Sequence, residues 1–193
     1  VYKRQGEGKA EEIDFEEYVA CVTASEMPST FDEEALKAQS VAARTYAMAK
    51  ILKYDEKRPE SHPDAPLCDT THCQAYKSED KLIEIHEDGW EESGFKKVRK
   101  ACEATEGELL YYDGELVTQP LFFSSSGGQT ENSEDVFTGA YPYLVSVSSP
   151  YEENASHQNE EKEFSLEEIK TLLAKAYPDR TLVSVSASSI EII

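Results

Sequence analysis

The chain has 193 residues, the length of one ordinary domain, and its formal net charge of −20 comes from 39 acidic against 19 basic residues. This excess of acid argues against nucleic acid and anionic membrane surfaces as partners. The sequence has no apolar run of about 18 residues and no signal peptide in its opening VYKRQGEGKAEE, so we expect any targeting segment to have been removed.

Two helical patterns follow, separated by Met27-Pro28. The first runs from Asp14 to about Ser25, and the second runs from Thr30 to about Tyr54. In the first, apolar residues recur at i, i+3, i+4 and i+7, the spacing of one buried helix face: Phe15, Tyr18, Val19 and Val22. A polar residue followed by an acid predicts a capping box at the start of each helix: Asp14 with Glu17, and Thr30 with Glu33.

The second helix has two distinct faces. Small and apolar residues are placed to pack inward: Leu36, Ala43 and Ala47. A polar stripe at i, i+3 and i+7 comprises Lys37, Ser40 and Arg44. Lys37 and Arg44 either face a substrate groove or belong to a solvated surface.

Glu26 lies one turn beyond Val22, in the last turn before the proline break. Continuation of the apolar face buries its carboxylate, and the negative end of the helix dipole lies beside it. Both effects disfavour the charged form, which is how a general acid keeps a proton near neutral pH. The alternative is an acid that points to solvent at a frayed helix end.

A proline-broken loop over residues 55–69 carries part of a cluster of thiols and imidazoles. The four members are His62, Cys68, His72 and Cys73. Sulfur and nitrogen donors are the ligand set of zinc, although the spacing matches no common zinc finger. Cys68 and Cys73 are the strongest ligand candidates, with a local disulfide or free thiols as alternatives. Cys21 and Cys102 are predicted to be buried hydrophobes or to form one bridge.

The second half of the chain changes to alternating periodicity. A helix over residues 80–105 is interrupted near Gly89, and a β-hairpin follows with Asp113-Gly114 at its turn. The chain ends with a short strand, a capped helix and a strand pair: YLVSVSS, then FSLEEIKTLLAKA with Ser165 and Glu168 as a capping box, then TLVSVSAS with IEII.

These patterns predict an α+β fold in one domain, with a helical part over about residues 14–105 and a strand-rich part over about 106–193. A substrate groove is expected between the two parts. In the second part, two glycines follow a run of serines, and backbone N–H groups there can approach a polar ligand. This predicted binding nest, for which a flexible loop is the alternative, comprises Ser124, Ser125, Ser126, Gly127 and Gly128.

Four blocks cover most of residues 14–150: EEYVACVTASEMPSTFDEEALKAQSVAARTYAMAK, CDTTHCQAY, ACEATEGELLYYDGE and FFSSSGGQTENSEDVF. They closely resemble the stage II sporulation protein D (SpoIID) family, and residues 151–193 resemble it more loosely. The resemblance implies a lytic transglycosylase of peptidoglycan that acts in forespore engulfment. It also implies a location at the cell-wall face of a membrane, between mother cell and forespore, with an N-terminal anchor absent from this chain.

The resemblance assigns roles to individual residues. The catalytic glutamate of the family's EMP motif falls on Glu26, and Lys37 and Arg44 match the basic residues of the next helix. Some relatives bind zinc through Cys and His in the segment that matches residues 62–73. The resemblance therefore implies a zinc site. We expect the zinc to be structural rather than catalytic, because its ligands come from a short irregular loop that a closed four-ligand site would fix.

A single acid suits the implied activity. A hydrolytic glycosidase normally needs two carboxylates, whereas a lytic transglycosylase uses the muramic acid C6 hydroxyl as internal nucleophile and forms a 1,6-anhydro product. The alternative is a non-catalytic glycan-binding module that stimulates a partner cell-wall amidase. A zinc hydrolase is disfavoured because no HExxH or comparable motif supplies both ligands and base.

Overall fold

The structure is a computed structural model that describes residues 2–4, 8–70, 72–150, 152, 161–178 and 186. Its helices are α1 (Phe15–Glu26), α2 (Glu33–Lys53), α3 (Glu79–Ile85), a π-helical turn (Glu91–Phe95), α4 (Lys96–Ala104), α5 (Ser133–Val136) and α6 (Leu166–Ala176). Its strands are β1 (Tyr2–Arg4), β2 (Lys9–Glu11), β3 (Tyr111–Tyr112) and β4 (Glu115–Leu116). The chain divides into two compact units, residues 1–122 with 142–144, and residues 123–141 with 145–193.

The core of the first unit lies where α1, α2 and α4 pack together. The predicted inward faces are confirmed, because Tyr18, Val19 and Val22 of α1 are buried and Phe15 is partly buried against them. On α2 the small and apolar positions are also buried: Leu36, Ala43 and Ala47. Burial of this apolar area is the main force that holds the helices together.

Beyond Lys37, the residues of the polar stripe on α2 are buried in the core. Ser40 is buried, and its Oγ donates to Leu36 O (2.8 Å) and lies 3.0 Å from the Cys102 Sγ of α4. Arg44 is only 1% exposed, so the alternative of a solvated surface is wrong for this residue. Cys21 and Cys102 are buried free thiols, as predicted for small hydrophobes, and they form no bridge.

The Arg44 guanidinium joins several parts of the first unit. Its Nε and Nη2 donate to the two carboxylate oxygens of Glu16 in α1, at 2.8 and 2.7 Å. Further bonds reach Cys102 O (3.2 Å) and Glu108 O (3.4 Å), at and beyond the end of α4. A bidentate ion pair of this kind fixes the orientation of the two side chains as well as the distance between them.

The helix starts were only partly predicted. Asp14 caps α1, because its Oδ1 accepts from the Glu16 and Glu17 amides, each at 3.0 Å. The predicted start of α2 at Thr30 is wrong, because residues 28–31 form a turn closed by Phe31 N on Pro28 O (3.1 Å). The helix begins at Glu33 instead, after Asp32. Met27 is extended (φ −128°, ψ 128°), as expected before proline.

The hairpin at Asp113-Gly114 is confirmed. Strands β3 and β4 pair antiparallel, with Tyr111 opposite Leu116, and the turn residues have positive φ angles of 50° and 82°. This is the mirror-image turn that matches strand twist and favours Gly at its second position. Strands β1 and β2 form a second antiparallel pair, in which Lys3 lies opposite Ala10.

The second unit is less regular than predicted. Residues 143–149 form no regular strand, and their pairing is limited to one bridge, Gln129 with Ser148, beside backbone bonds such as Thr130 N to Val147 O (2.9 Å). Helix α6 and its Ser165–Glu168 capping box are confirmed. The predicted terminal strands lie outside the described residues, apart from Ser186.

The described chain is therefore mostly helical with small antiparallel pairings, so the strand content of the second half was overestimated. The substrate groove and the division at about residue 105 remain predictions. Among the described residues, every helix is too short or too polar to cross a membrane.

Replacing Arg44 tests its structural role. Arg44→Ala leaves Glu16 without its partner and opens space among buried helices, so we expect a loss of unfolding free energy on the order of 3 kcal/mol. Lys37→Ala on the same helix should leave the free energy of unfolding almost unchanged, because its ion pairs lie at the surface. Urea unfolding followed by circular dichroism measures both, and equal small effects would contradict the assignment.

Candidate active site and metal centre

Glu26 is the last residue of α1 and is half-buried. Its Oε1 accepts a hydrogen bond from the backbone N–H of Ala75 at 3.0 Å. Within the described part of the chain, Oε2 accepts no hydrogen bond and the carboxylate forms no ion pair. One oxygen is therefore held by the protein, and the other is free to exchange a proton.

The Ala75 amide belongs to a segment, residues 74–77, that lies along α1. Tyr18 OH donates to Gln74 Oε1 (3.2 Å), and the Tyr18 and Tyr76 rings stack with centroids 5.5 Å apart. At the far end, Lys77 N donates to Ser25 Oγ (3.1 Å), which itself donates to Cys21 O (2.7 Å). Each residue of the 74–77 segment thus contacts α1.

The turn that follows Glu26 is held by hydrogen bonds from Trp90 and Lys97. Trp90 Nε1 donates to Ser29 Oγ (3.3 Å), and Lys97 Nζ donates to Ser29 O (2.9 Å) and Phe31 O (2.5 Å). Gly94 in the π-helical turn makes this close packing possible, because a Cβ there would lie 2.2 Å from Trp90 Nε1 and 2.7 Å from Ser29 Oγ. Such π-helical turns often occur at functional sites.

The two basic residues predicted to bind substrate have different environments. Lys37 keeps a quarter of its side chain exposed and pairs with Glu34 (2.7 Å) and Glu33 (3.3 Å). Its hydrogen bonds to Glu34 and Glu33 raise the pKa of its ammonium. Arg44 is buried in the contacts described above, which favours a structural role. Neither residue bonds Glu26, and their contact with substrate remains a prediction.

The predicted nest lies in the second unit and holds a carboxylate of the protein itself. Glu152 Oε2 accepts from the amides of Ser126 (2.5 Å) and Gly127 (2.9 Å) and from Ser125 Oγ (3.1 Å). Its Oε1 accepts from Ser126 Oγ and Ser149 Oγ. These bonds lower the pKa of Glu152 to about 2, and the hydrogen bond from the Ser126 side chain makes the largest contribution. Ser124 is exposed beside them.

The four predicted metal ligands are brought together. The nearest ligand atoms of His62, Cys68, His72 and Cys73 all lie within 4.8 Å of one another. His62 and Cys68 are buried, Cys73 is half-buried and His72 is exposed, and both thiols are free in the structure. The local disulfide is therefore not formed here.

The distances in this cluster fit one tetrahedral ion. With Zn–S near 2.3 Å and Zn–N near 2.05 Å, a tetrahedron has edges of about 3.3 Å for N···N and about 3.6 Å for N···S. His62 Nε2 and His72 Nδ1 are 3.3 Å apart. Cys73 Sγ lies 3.4 Å from His62 Nε2 and 3.5 Å from His72 Nδ1. Cys68 Sγ lies 3.7 Å from His72 Nδ1. The donor set fits zinc.

Contacts around the cluster also suit a metal. His62 Nδ1 donates to Ala65 O (2.8 Å), which leaves Nε2 as the lone-pair nitrogen facing the cluster. Burial raises the pKa of the Cys73 thiol to about 11 and, helped by the two nearby thiols, raises that of Tyr46 on α2. The site thus brings two buried donors, His62 and Cys68, together with two more accessible ones, Cys73 and His72.

The first unit is a helical scaffold that carries one half-buried acid, Glu26, and a cluster of sulfur and nitrogen donors. Comparison with known proteins gives the family. The SpoIID family model, described as "Stage II sporulation protein", matches residues 3–112. The chain therefore belongs to the SpoIID family.

Relatives were found in several bacteria. The chain is 38% identical to stage II sporulation protein D of Bacillus subtilis (strain 168) over 170 residues, 88% of this chain. The protein of that name from Bacillus amyloliquefaciens is 36% identical over the same length. The chain spans about half of each, 48% of their length. The "Amidase enhancer" of Bacillus subtilis (strain 168) is 36% identical over 124 residues, 64% of this chain and 14% of that protein.

Sequence reasoning missed the contacts made by Ser25 and Ala75. Ala75 acts through its backbone N–H, which every residue but proline carries, so no residue type could have indicated it. Gln39 was also missed, since its Nε2 is buried without a hydrogen-bond partner among the described residues. It lies within the EALKAQ string of the resemblance.

Zinc content tests the metal centre. We expect about one equivalent in protein purified without added metal, and a chelator should lower the melting temperature because metal binding stabilises the folded loop. Cys73→Ser should lose the metal, whereas Cys21→Ala, a buried thiol outside the cluster, should retain it. Elemental analysis with less than about a tenth of an equivalent of zinc, together with oxidised thiols, would favour the disulfide instead.

The nest can be tested by titration. Because the pKa of Glu152 is lowered, its contacts stabilise the loop above the ordinary glutamate value of 4.5 and are lost as pH falls through about 2. The amide shifts of Ser126 and Gly127, followed by NMR, should titrate with a midpoint near the lower value. Glu152→Gln should abolish that titration. A midpoint near the ordinary value would show that the nest does not hold this carboxylate.

Proposed function

We propose that this protein is a peptidoglycan lytic transglycosylase that cleaves between N-acetylmuramic acid and N-acetylglucosamine, with Glu26 as its catalytic acid. Membership of the SpoIID family supports a role in sporulation. The observation that carries the proposal is the Glu26 carboxylate, with Oε1 bound by the Ala75 amide and Oε2 without a hydrogen bond in the described part of the chain.

This arrangement suits a proton donor that later becomes a base. The Ala75 N–H can only donate, so the proton of the neutral acid belongs on Oε2. Oε2 protonates the glycosidic oxygen as the C1–O bond breaks, and the sugar leaving group departs as an alcohol. The resulting carboxylate takes the proton of the muramic acid C6 hydroxyl while O6 bonds to C1. The product is the 1,6-anhydro sugar, and no water is consumed.

The surroundings of Glu26 support a single-acid mechanism. Within the described residues Glu26 forms no ion pair, and its printed hydrogen bond is the one from the Ala75 amide. Hydrolysis by two flanking carboxylates requires a second acid at about 5–9 Å. The C6 hydroxyl replaces that second acid in the proposed reaction.

We further assign substrate binding to those predicted residues whose N–H or O–H groups can donate hydrogen bonds to a glycan. The Lys37 ammonium is paired with Glu34 and Glu33, and it has a further N–H that can donate to glycan oxygens. In the nest, the donors of Ser125, Ser126 and Gly127 are used by Glu152, so a substrate oxygen must displace that carboxylate to bind there. Ser124 is exposed beside them and can contribute a hydroxyl.

Zinc in this proposal has a structural role, held by His62, Cys68, His72 and Cys73. When bound, it supplies a closed four-ligand crosslink of the loop and leaves no position open for substrate. The proposed setting is the cell-wall face of the membrane, between mother cell and forespore. The proposed partners are glycan strands and other engulfment proteins, including an amidase.

A second candidate is a non-catalytic glycan-binding module that stimulates an amidase. The specific observation in its favour is the similarity to the amidase enhancer over 124 residues. The two candidates differ in their products. Glycan strands treated with an enzyme acquire anhydro ends, whereas strands treated with the module stay intact and a partner amidase works faster.

Glu26→Gln tests the catalytic assignment. The amide has the same shape but no acidic proton, so we expect cleavage of purified glycan strands to fall by about 10² to 10⁴, with the melting temperature almost unchanged. Glu17→Gln, an exposed acid of the same helix, is the matched control and should keep full activity. Mass spectrometry of the products measures both, and turnover of Glu26→Gln within a few-fold of wild type would refute the role of Glu26.

A further inference from the structure

One short segment joins the metal centre to Glu26. Cys73 is a member of the metal cluster, and Ala75, two residues further along, donates to Glu26 Oε1. Successive Cα atoms are about 3.8 Å apart, and Gln74 between the two residues is bonded to Tyr18 OH at 3.2 Å, so a displacement of Cys73 strains the contact of the Ala75 amide. The position of the Glu26 carboxylate thus depends on how the segment is held at both ends.

The other end of the segment is held by Ser25. Its Oγ accepts from Lys77 N at 3.1 Å and donates to Cys21 O at 2.7 Å, so both hydrogen-bonding directions of the hydroxyl are used. The second bond fixes the hydroxyl against its own helix, which is the helix that ends in Glu26. Ser25 therefore joins the segment to the element that carries the acid.

We infer that Ser25 is a positioning residue, which anchors the 74–77 segment so that the metal cluster and the Glu26 carboxylate are coupled through the Ala75 amide. The inference rests on the proposed function for its catalytic consequence. The near anchor is the loop at Cys73 and the far anchor is Ser25. Between them, the Tyr18–Tyr76 stack and the Tyr18–Gln74 bond seat the segment on α1.

The coupling has a chemical consequence for Glu26. The Ala75 amide selects the oxygen that carries the proton and fixes the rotation of the carboxyl group. A displacement of about 1 Å of a catalytic group can cost about 10²-fold in rate. Loss of either anchor should therefore lower kcat, with little effect on KM because Ser25 is not assigned to substrate binding.

The coupling must also act in the opposite direction. If the bound metal orders the segment against Ser25, then the Ser25 contact must strengthen metal binding by the same factor. Contacts that support metal ligands are typically worth about 10- to 100-fold in metal affinity. A serine in α1 that is not a metal ligand should then affect the affinity for zinc.

The experiment compares Ser25→Ala with Ser93→Ala in the whole chain. Ser93 is an exposed serine whose Oγ bonds only a nearby carbonyl, Gly89 O (3.0 Å), and it provides the same chemical change away from the segment. Zinc affinity is measured by competition with a chromogenic chelator. We expect about a tenfold loss for Ser25→Ala, no change for Ser93→Ala, and recovery in Ser25→Thr, which keeps the hydroxyl.

A second readout follows the hydrogen bond itself. The Ala75 amide proton shift, measured by NMR, should move on zinc removal toward its value in Ser25→Ala. Unchanged zinc affinity together with an unchanged Ala75 shift in Ser25→Ala would overturn the inference, as would equal effects of the two alanine variants.

The activity readout separates this inference from the proposed function. A lower kcat at constant KM in Ser25→Ala supports both. If the wild-type protein leaves glycan strands intact, the proposed function fails, while the zinc affinity and the amide shift still decide the role of Ser25.

Discussion

The packing of the helices in the first unit depends on the bidentate ion pair between Arg44 of α2 and Glu16 of α1. The guanidinium is buried where α2 meets α1 and the end of α4, and two backbone carbonyls accept from two of its other N–H groups. A buried charge tolerates few alternatives, because each lost partner leaves it unsatisfied. The pair therefore fixes the N-terminal end of α1, and the rigid helix transmits that position over about 15 Å to Glu26 at its other end.

Helix α1 combines three tasks. Its apolar face fills the core, its last residue carries the candidate acid, and its Tyr18 and Ser25 hold the 74–77 segment that leads from the metal cluster. The acid is thus enclosed by contacts that originate far away in sequence, from the turn held by Trp90 and Lys97 as well as from Ala75.

The sequence predicted what local periodicity and residue type determine. The buried face of α1, the inward positions of α2, the Asp113-Gly114 turn and the four-ligand cluster follow from spacing and composition. The burial of Arg44 could not be predicted, because its partner Glu16 lies on another helix. The Ala75–Glu26 contact spans 49 positions through a backbone group that has no sequence signature. Alternating residues over 143–149 suggested a strand, but a strand also needs a partner, and among the described residues only one bridge forms there.

Trp90 gives the molecule a built-in optical reporter. It is the chain's single tryptophan, stacked on His86 with ring centroids 3.8 Å apart and bonded to Ser29 in the turn after Glu26. Its emission depends on the neighbouring imidazole and on exclusion of water from the indole. Any event that shifts this turn can therefore be followed by intrinsic fluorescence without a label.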